Sequence, residues 1–268
     1  MKSSKTKSGQ RGGAQGEQQR RVAFIVQCIV IVVVASVCTM IFAPMILYRV
    51  FDVRSFRKEQ AVLKGVAQSL ETQAPAETID SAGPTDPGQS DISDTGAFDE
   101  EMRQINPDYI CWMTIDGTVV DYPVVRGEDN EKYLDLSFSG EKNMLGSLFM
   151  DYRCEGKYVP HIIVYGHNSS QGDMFGSLWM FLDEGYRKEH SKITLKVNDR
   201  TVVYEIFSAR QTDVNDPAYF LDFNASGSFG AFADRCGAPI NASQIITLST
   251  CVSGGDDDER VVVQGVLA

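Results

Sequence analysis

A continuous apolar segment constrains this chain more than any other feature of its sequence. Between Val22 and Tyr48 the only strongly polar side chain is Gln27. A helix needs about 20 apolar residues to cross the hydrocarbon core of a bilayer, and this segment is longer. Its apolar core is long, rich in β-branched residues and lacks a small-x-small cleavage site, which favours an uncleaved anchor over a signal peptide. We therefore expect residues 22–48 to form one transmembrane helix.

The segments on either side of the predicted span differ in composition. Residues 1–21 carry six basic side chains and one acidic one among Gly, Ser and Gln, which is typical of a disordered basic tail. After the span, Phe56, Leu63 and Leu70 are spaced seven apart, which predicts a short amphipathic stalk helix within residues 55–71. Residues 72–97 are rich in Pro, Gly, Ser, Thr and Asp. The segment 49–97 is therefore interpreted as a stalk and flexible linker.

The remaining residues, 98–268, are expected to form one folded domain that is stable without the linker. Short runs of alternating, β-branched residues bounded by Gly, Asn, Asp and Pro predict a mostly antiparallel β domain. The runs are Thr118–Tyr122, Ile162–Tyr165, Ile193–Val197, Val202–Ile206, Ile245–Leu248 and Val261–Val263. Helical spacing is present only around Phe98–Ile105 and from Met174 to Leu182. We expect a closed or nearly closed β-barrel of about eight strands with a few peripheral helices.

Charge and cysteine content exclude several functional classes. The formal net charge is −11, and the first 100 residues hold 11 acidic and 11 basic side chains, so the excess negative charge lies in the β domain. A nucleic-acid partner is therefore disfavoured. The six cysteines show no CxxC spacing, which argues against a zinc site or a disulfide framework. Cys111, Cys154 and Cys236 are interpreted as small buried residues, and no cofactor is expected.

One cysteine stands next to polar groups that could activate it. Cys251 ends a predicted strand, and Arg260 begins the next strand after a polar turn. In an antiparallel hairpin these two residues face each other, with Cβ atoms about 5 Å apart. His167 also follows a strand, after Gly166. A cysteine needs a basic or cationic neighbour to react as a thiolate, so these residues are candidates for nucleophilic catalysis.

The remaining polar residues receive simpler interpretations. His161 and His190 are taken as ordinary surface or edge histidines. The acidic turn at residues 256–259 lacks the ligand spacing of an EF-hand loop and is interpreted as a solvated turn, with a calcium site as the alternative. A further hypothesis is that Asp257 or Asp258 orients His167.

Several separated motifs resemble those of the sortase family. Thr247–Cys251 followed by Arg260–Val263 resembles the TLxTC motif and trailing arginine of sortases, and Tyr165–Asn168 resembles their histidine motif. Further blocks are similar to class B sortases in order and spacing: Ile105–Tyr109, Asp121–Val125, Gly146–Tyr152 and Met174–Leu178. The chain departs from the family pattern at Cys111, where a Gly is usual, and at Ser169-Ser170, where a larger apolar residue is common. Neither departure touches the catalytic candidates.

The resemblance implies a membrane-anchored cysteine transpeptidase. Cys251 would attack the threonine carbonyl of a C-terminal sorting signal, which class B similarity suggests is Asn-Pro-x-Thr-like. His167 would act as acid/base and Arg260 would stabilise the oxyanion. The implied partners are surface or pilin proteins that carry the signal and an amino group of the cell-wall precursor. The N-terminus is placed in the cytoplasm and the catalytic domain outside a Gram-positive-type cell, because such an enzyme acts at the wall.

Two other functions stay open at this stage. One is a Cys–His peptidase or amidase that hydrolyses wall peptides, although papain-like enzymes place the cysteine before the histidine and this chain has the reverse order. The other is a non-catalytic, membrane-tethered barrel that binds a wall component. Labelling of Cys251 by a thiol reagent in the native protein, and not in a His167 or Arg260 variant, would distinguish an enzyme from a binding protein.

Overall fold

The computed structural model describes residues 9–73, 96–155, 159–198, 200–223, 228–252, 254–256 and 258–268. Most of the predicted linker, residues 74–95, lies outside them. The chain divides into two compact units, and the second unit begins at Asp52.

The first helix, α1, runs from Gly9 to Gln73 and contains the predicted span. It is the one helix of the described residues that is long and apolar enough to cross a membrane. The helix also takes in residues 9–21, which the sequence suggested would be a disordered tail. Adding a residue to an existing helix gains one hydrogen bond without a new nucleation step, and Gln, Arg and Glu are good helix formers.

The second unit begins 46 residues earlier than the domain start expected near Phe98, because the last part of α1 packs on the barrel. Phe56 is 2% exposed and meets the Tyr122 ring edge-on, with the ring centroids 5.5 Å apart. Leu63 is 3% exposed. Arg57 also pairs with Asp173, at 2.8 Å between Nη2 and Oδ2. Two of the apolar residues that suggested a stalk, Phe56 and Leu63, thus bury their side chains in the domain core.

Eight strands form the barrel in the described part of the chain. They are β1 (Tyr109–Ile115), β2 (Asp121–Val125), β3 (Leu148–Met150), β4 (His161–Tyr165), β5 (Lys192–Val197), β6 (Arg200–Asp213), β7 (Ile245–Cys251) and β8 (Glu259–Leu267). The other helices described are α2 (Ala97–Ile105), α3 (Glu184–Glu189) and α4 (Ser228–Cys236). Three 3-10 turns lie at Lys132–Leu134, Leu178–Leu182 and Pro217–Tyr219. This architecture confirms the predicted closed barrel with peripheral helices.

The strand order places the candidate residues on neighbouring strands. Around the barrel the order is β1-β2-β3-β4-β7-β8-β6-β5, and β7 lies between β4 and β8. The pairs β2/β3 and β4/β7 are parallel, whereas the other neighbours are antiparallel. Parallel neighbours need long crossover connections, and these connections carry the three 3-10 turns. The ends of β4 and β7 are therefore adjacent.

One histidine interpretation from the sequence is wrong. His161 is neither a surface nor an edge residue: its relative exposure is 0%, and β4 is an interior strand of the barrel. Burial lowers the pKa of His161 to about 4, because the cationic form loses hydration. Polar partners deep in the barrel make this burial tolerable, and sequence pattern alone gave no sign of them. His190 lies at the end of α3 beside Asp116, partly exposed.

Candidate active site

The hairpin of β7 and β8 brings Cys251 and Arg260 together. Its register pairs Cys251 with Arg260, as the spacing of the two residues predicts. Directly opposed residues of an antiparallel pair have their side chains on the same face. A permanently charged guanidinium and a thiol therefore share one end of the sheet.

Hydrogen bonds join the histidine loop to the end of β7. Gly166 N donates to Ser249 O at 3.2 Å, and Thr250 Oγ1 donates to Gly166 O at 2.8 Å. Asn168 Nδ2 donates to the carbonyl of Cys251 itself at 2.7 Å. His167 lies between these contacts, so its backbone is held in a fixed position next to the cysteine.

Gly166 makes this close approach possible. A Cβ built at this position would lie 2.4 Å from Leu148 Cδ2 and 2.9 Å from Phe175 Cδ2. Both neighbours are fully buried core residues that have little room to move. Any larger residue would push the histidine loop away from the barrel, which gives a steric reason for glycine before His167.

The imidazole of His167 is oriented by a backbone carbonyl. Its Nε2 lies 2.7 Å from Leu134 O, in the 3-10 turn that follows β2. A carbonyl oxygen can only accept, so Nε2 carries the proton and donates. In the neutral ring, Nδ1 is then the nitrogen that can accept a proton. Asp258 is exposed and Asp257 lies outside the described residues, so an aspartate that orients His167 stays a hypothesis.

Cys251, His167 and Arg260 line one cavity of about 500 Å³. Its other walls come from segments far apart in the chain: Asn130, Leu134, Phe149, Arg153, Tyr165, Gly166, Val214, Tyr219, Ser249 and Thr250. The structure thus brings the three candidates together at one end of the barrel. The volume suits a short peptide segment with a few side chains in place.

A buried carboxylate holds part of this wall. Asp151 is 0% exposed and accepts two hydrogen bonds from Arg153, at 2.9 and 2.8 Å. Tyr165 and Asn130 also donate to it, at 3.0 and 3.1 Å. Burial alone raises the pKa of Asp151, but the hydrogen bonds from Arg153 and Tyr165 outweigh it and lower the pKa. Asp151 is therefore an anion that orients three cavity-lining side chains.

Tyr219 is a further wall residue that the sequence did not suggest. Its hydroxyl lies 2.8 Å from Ser249 Oγ, two residues before Cys251. Burial raises the pKa of Tyr219, while the hydrogen bond to Ser249 and the nearby charge of Arg260 oppose that rise. Tyr219 belongs to a separate loop, so only the folded chain shows that it reaches the cavity. Asn168 did lie within the histidine motif, but its bond to Cys251 was not expected.

The other domain cysteines are buried, as the sequence predicts, whereas Cys251 is exposed. Burial raises the pKa of Cys111 to about 12 and that of Cys154 to about 11. Burial also raises the pKa of Cys236. A thiol with a raised pKa is a poor nucleophile at neutral pH. Within the described residues, no group of three or more His, Cys, Asp or Glu side chains could hold a metal ion.

Comparison with known proteins identifies the family of this fold. A family model described as the sortase domain matches residues 113–268, which is more than half of the chain. The chain belongs to the sortase family. It is 31% identical over 175 residues to sortase B of Staphylococcus aureus, a match that covers 61% of this chain and 72% of the relative. Sortase B of Listeria monocytogenes is 30% identical over 178 residues, covering 62% and 72% of the two chains.

A solved structure of the family extends the similarity to the fold. The Staphylococcus aureus sortase B–substrate complex superimposes with a TM-score of 0.58 at 29% identity, covering 64% of this chain and 84% of that one. The resemblance to class B sortases seen in the sequence is thus confirmed. The protein is a sortase-type transpeptidase, and its substrates carry sorting signals, as the family implies.

Proposed function

We propose that this sortase cleaves a C-terminal sorting signal of the Asn-Pro-x-Thr type after the threonine and transfers the protein to an amino group of the cell wall or of a pilin. The observation that carries this proposal is the convergence of Cys251, His167 and Arg260 on one cavity. A thiol, an imidazole and a guanidinium are the groups that acyl transfer needs.

In the acylation step, the thiolate of Cys251 attacks the threonine carbonyl and forms a carbon–sulfur bond. Arg260 stabilises the negative charge that develops on the carbonyl oxygen. His167 gives a proton to the departing amine as the carbon–nitrogen bond breaks, which leaves a thioester on Cys251. The acceptor amine then attacks the thioester carbonyl and forms the new amide bond. Its proton passes to His167, and the carbon–sulfur bond breaks to release the Cys251 thiolate.

A second cavity of about 560 Å³ is the entry for the acceptor amine in this proposal. Two of its lining residues neighbour the nucleophile: Asn168, whose amide bonds to the Cys251 carbonyl, and Val252, the next residue in the chain. The side chains that line it are uncharged, and Trp179 is 62% exposed at its edge. An uncharged surface with an aromatic side chain suits a peptide bearing a free amine.

The proposed location is the cell membrane, with a single span at residues 22–48, the N-terminus in the cytoplasm and the catalytic domain outside. The apolar, exposed stretch of α1 supports a membrane-spanning role. The orientation follows from the proposed reaction, since sorting signals and wall amines meet outside the membrane. Protease protection of the catalytic domain in intact cells would contradict this orientation.

A panel of fluorogenic pentapeptides tests the reaction. The full chain should cleave an Asn-Pro-x-Thr-type peptide faster than a scrambled control, and cleavage should be lost in Cys251→Ala. Added triglycine should divert the thioester to a transpeptidation product. Cleavage that yields only hydrolysis, whatever the amine concentration, would favour the Cys–His peptidase. If no peptide is cleaved, the result would favour the non-catalytic barrel that binds a wall component.

Trp179→Ala tests whether the two cavities serve different steps of the reaction. We expect it to slow transfer to triglycine while single-turnover acylation stays within about twofold, since surface changes away from the first site rarely act on it. Equal slowing of both steps would contradict a separate acceptor entry.

A further inference from the structure

A continuous chain of polar side chains runs through the barrel wall behind the active site. It starts at His161, whose Nδ1 lies 2.8 Å from Phe220 O and whose Nε2 lies 2.8 Å from Thr247 Oγ1. Thr247 Oγ1 also accepts from Gln264 Nε2 at 3.0 Å. His161, Thr247 and Gln264 are each 0% exposed. Water therefore does not compete for these bonds.

The hydrogen-bond chain continues from Gln264 to a partly buried ion pair. Gln264 Oε1 accepts from Arg210 Nη1 at 2.8 Å. The same guanidinium binds both carboxylate oxygens of Asp216, at 3.1 Å from Nε and 2.5 Å from Nη2. Thr212 Oγ1 donates to Asp216 as well, at 2.6 Å. Asp216 therefore ends the chain with three side-chain hydrogen bonds.

Each bond in this chain has one direction. The Phe220 carbonyl can only accept, so His161 carries its proton on Nδ1 and accepts at Nε2 from the Thr247 hydroxyl. Thr247 in turn accepts from the Gln264 amide, whose oxygen accepts from Arg210. The low pKa of His161, about 4, keeps the ring neutral and this pattern intact at neutral pH. A network in which every group is satisfied holds its members rigidly.

Both ends of this hydrogen-bond chain contact the same short segment, residues 216–220. At one end Asp216 also accepts from Ala218 N at 2.7 Å and so caps the 3-10 turn Pro217–Tyr219. At the other end His161 holds the carbonyl of Phe220. Tyr219 lies between these two anchors, lines the cavity and contacts Ser249. Segment 216–220 is therefore fastened on each side of Tyr219, its residue that lines the cavity.

We propose that His161, Thr247, Gln264, Arg210 and Asp216 form a positioning network that fixes segment 216–220, and with it Tyr219, as a wall of the peptide-binding cavity. The inference rests on the proposed function, because the wall matters only if a peptide binds in this cavity. None of the five residues lines the cavity. Loosening the network should weaken peptide binding while leaving the reactivity of the Cys251 thiol unchanged.

Two variants break the network at different places. Both are made in the full-length protein, which is purified in detergent. Arg210→Lys keeps the charge, but one ammonium cannot make the two-pronged contact with Asp216 and reach Gln264. His161→Phe keeps an aromatic ring but removes both ring nitrogens. His161→Gln keeps one donor and one acceptor, so it should restore part of the function. His190→Phe is the matched control, since His190 lies at the end of α3.

Three measurements are made on each variant. Hydrogen exchange with mass spectrometry follows peptides from residues 214–223, steady-state kinetics give KM and kcat for the pentapeptide, and peptide mapping gives the rate of iodoacetamide reaction at Cys251. In Arg210→Lys and His161→Phe we expect segment 216–220 to exchange faster and KM to rise roughly tenfold, since displaced binding groups cost rates of this order or more. The iodoacetamide rate should stay within twofold, and His190→Phe should match the wild type.

Each outcome decides the proposal. Unchanged exchange or unchanged KM in Arg210→Lys would overturn it, even if His161→Phe fails to fold. A fall in iodoacetamide rate equal to the loss of peptide turnover would also overturn it, because that result indicates general disruption. If none of the pentapeptides acylates the wild-type protein, the proposed function fails. The hydrogen-exchange data alone then decide whether the network fixes segment 216–220.

Discussion

The contact of Phe56 with the barrel predicts that the catalytic unit needs the end of α1. The Phe56 side chain is 2% exposed and packs on Tyr122 within the main core. Removing a buried Phe side chain loses its transfer free energy and leaves a cavity, which together cost about 3–5 kcal/mol. That is a large part of the total stability of a domain, about 5–15 kcal/mol. We therefore expect Phe56→Ala to be among the more damaging changes in α1.

Urea unfolding of a fragment that starts at Asp52, where the second unit begins, measures this effect. The urea slope grows with protein size, and with a slope of about 3 kcal/mol per M for a fragment this long, the midpoint should fall by roughly 1–2 M in Phe56→Ala. Val62→Ala is the matched control, because Val62 is 60% exposed on the same helix. Equal midpoints for the two variants would refute the packing of α1 on the barrel.

The remaining predictions concern the active site, the buried thiols and pH. Arg260→Ala should lower single-turnover acylation by roughly 10²–10³, as the loss of an oxyanion donor does, and Arg260→Lys should restore only part of it; wild-type rates in both would remove Arg260 from the site. Cys111→Ala, Cys154→Ala and Cys236→Ala should change the unfolding midpoint but not abolish turnover; an inactive, folded variant would contradict this. For His161, the folded pKa of about 4 lies below the unfolded value. The unfolded state thus binds more protons between about pH 6.5 and 4, and stability should fall by about 3 kcal/mol as pH drops through that range. A His161→Gln variant with the same pH dependence in urea unfolding would contradict that assignment.

Strands were predictable where residues alternate between core and solvent or form a clear β-branched run, as Val261–Val263 does although its strand is buried on both faces. The pattern of Lys192–Val197 alternates, and it was recognised as a strand to within one residue. In contrast, Tyr109–Ile115 is almost wholly buried, so it shows no alternation and was missed. The strand predicted at Thr118 begins at Asp121, because Ile115 N bonds to Val120 O around a turn that contains Gly117 at φ 73°.

Helical spacing near Met174 was also misleading. The apolar residues there lie in a loop and a 3-10 turn, Leu178–Leu182, rather than in an α-helix. Met174 has φ 55°, a left-handed conformation that interrupts a helix. The spacing reflects burial of the loop side chains, since Met174 and Leu178 are each at most 1% exposed.

Within the candidate site, local features were easier to infer than long-range ones. The pairing of Cys251 with Arg260 followed from hairpin geometry alone. The approach of His167 depends on the parallel pairing of β4 and β7, which are 79 residues apart in sequence, so only the family resemblance suggested it. Tyr219 and Phe220, whose carbonyl is bound by His161, come from still another segment, and no local pattern marks them.

An acyl-enzyme at Cys251 is the most direct test of the central claim. The full chain is mixed with an Asn-Pro-x-Thr-type peptide, quenched in acid within one turnover and mapped by mass spectrometry. The account predicts a thioester on the peptide that contains Cys251, with the mass of the substrate fragment ending in threonine, and its loss on addition of triglycine. Cleavage of the substrate with no adduct at Cys251, or with the adduct on another cysteine, would contradict the account.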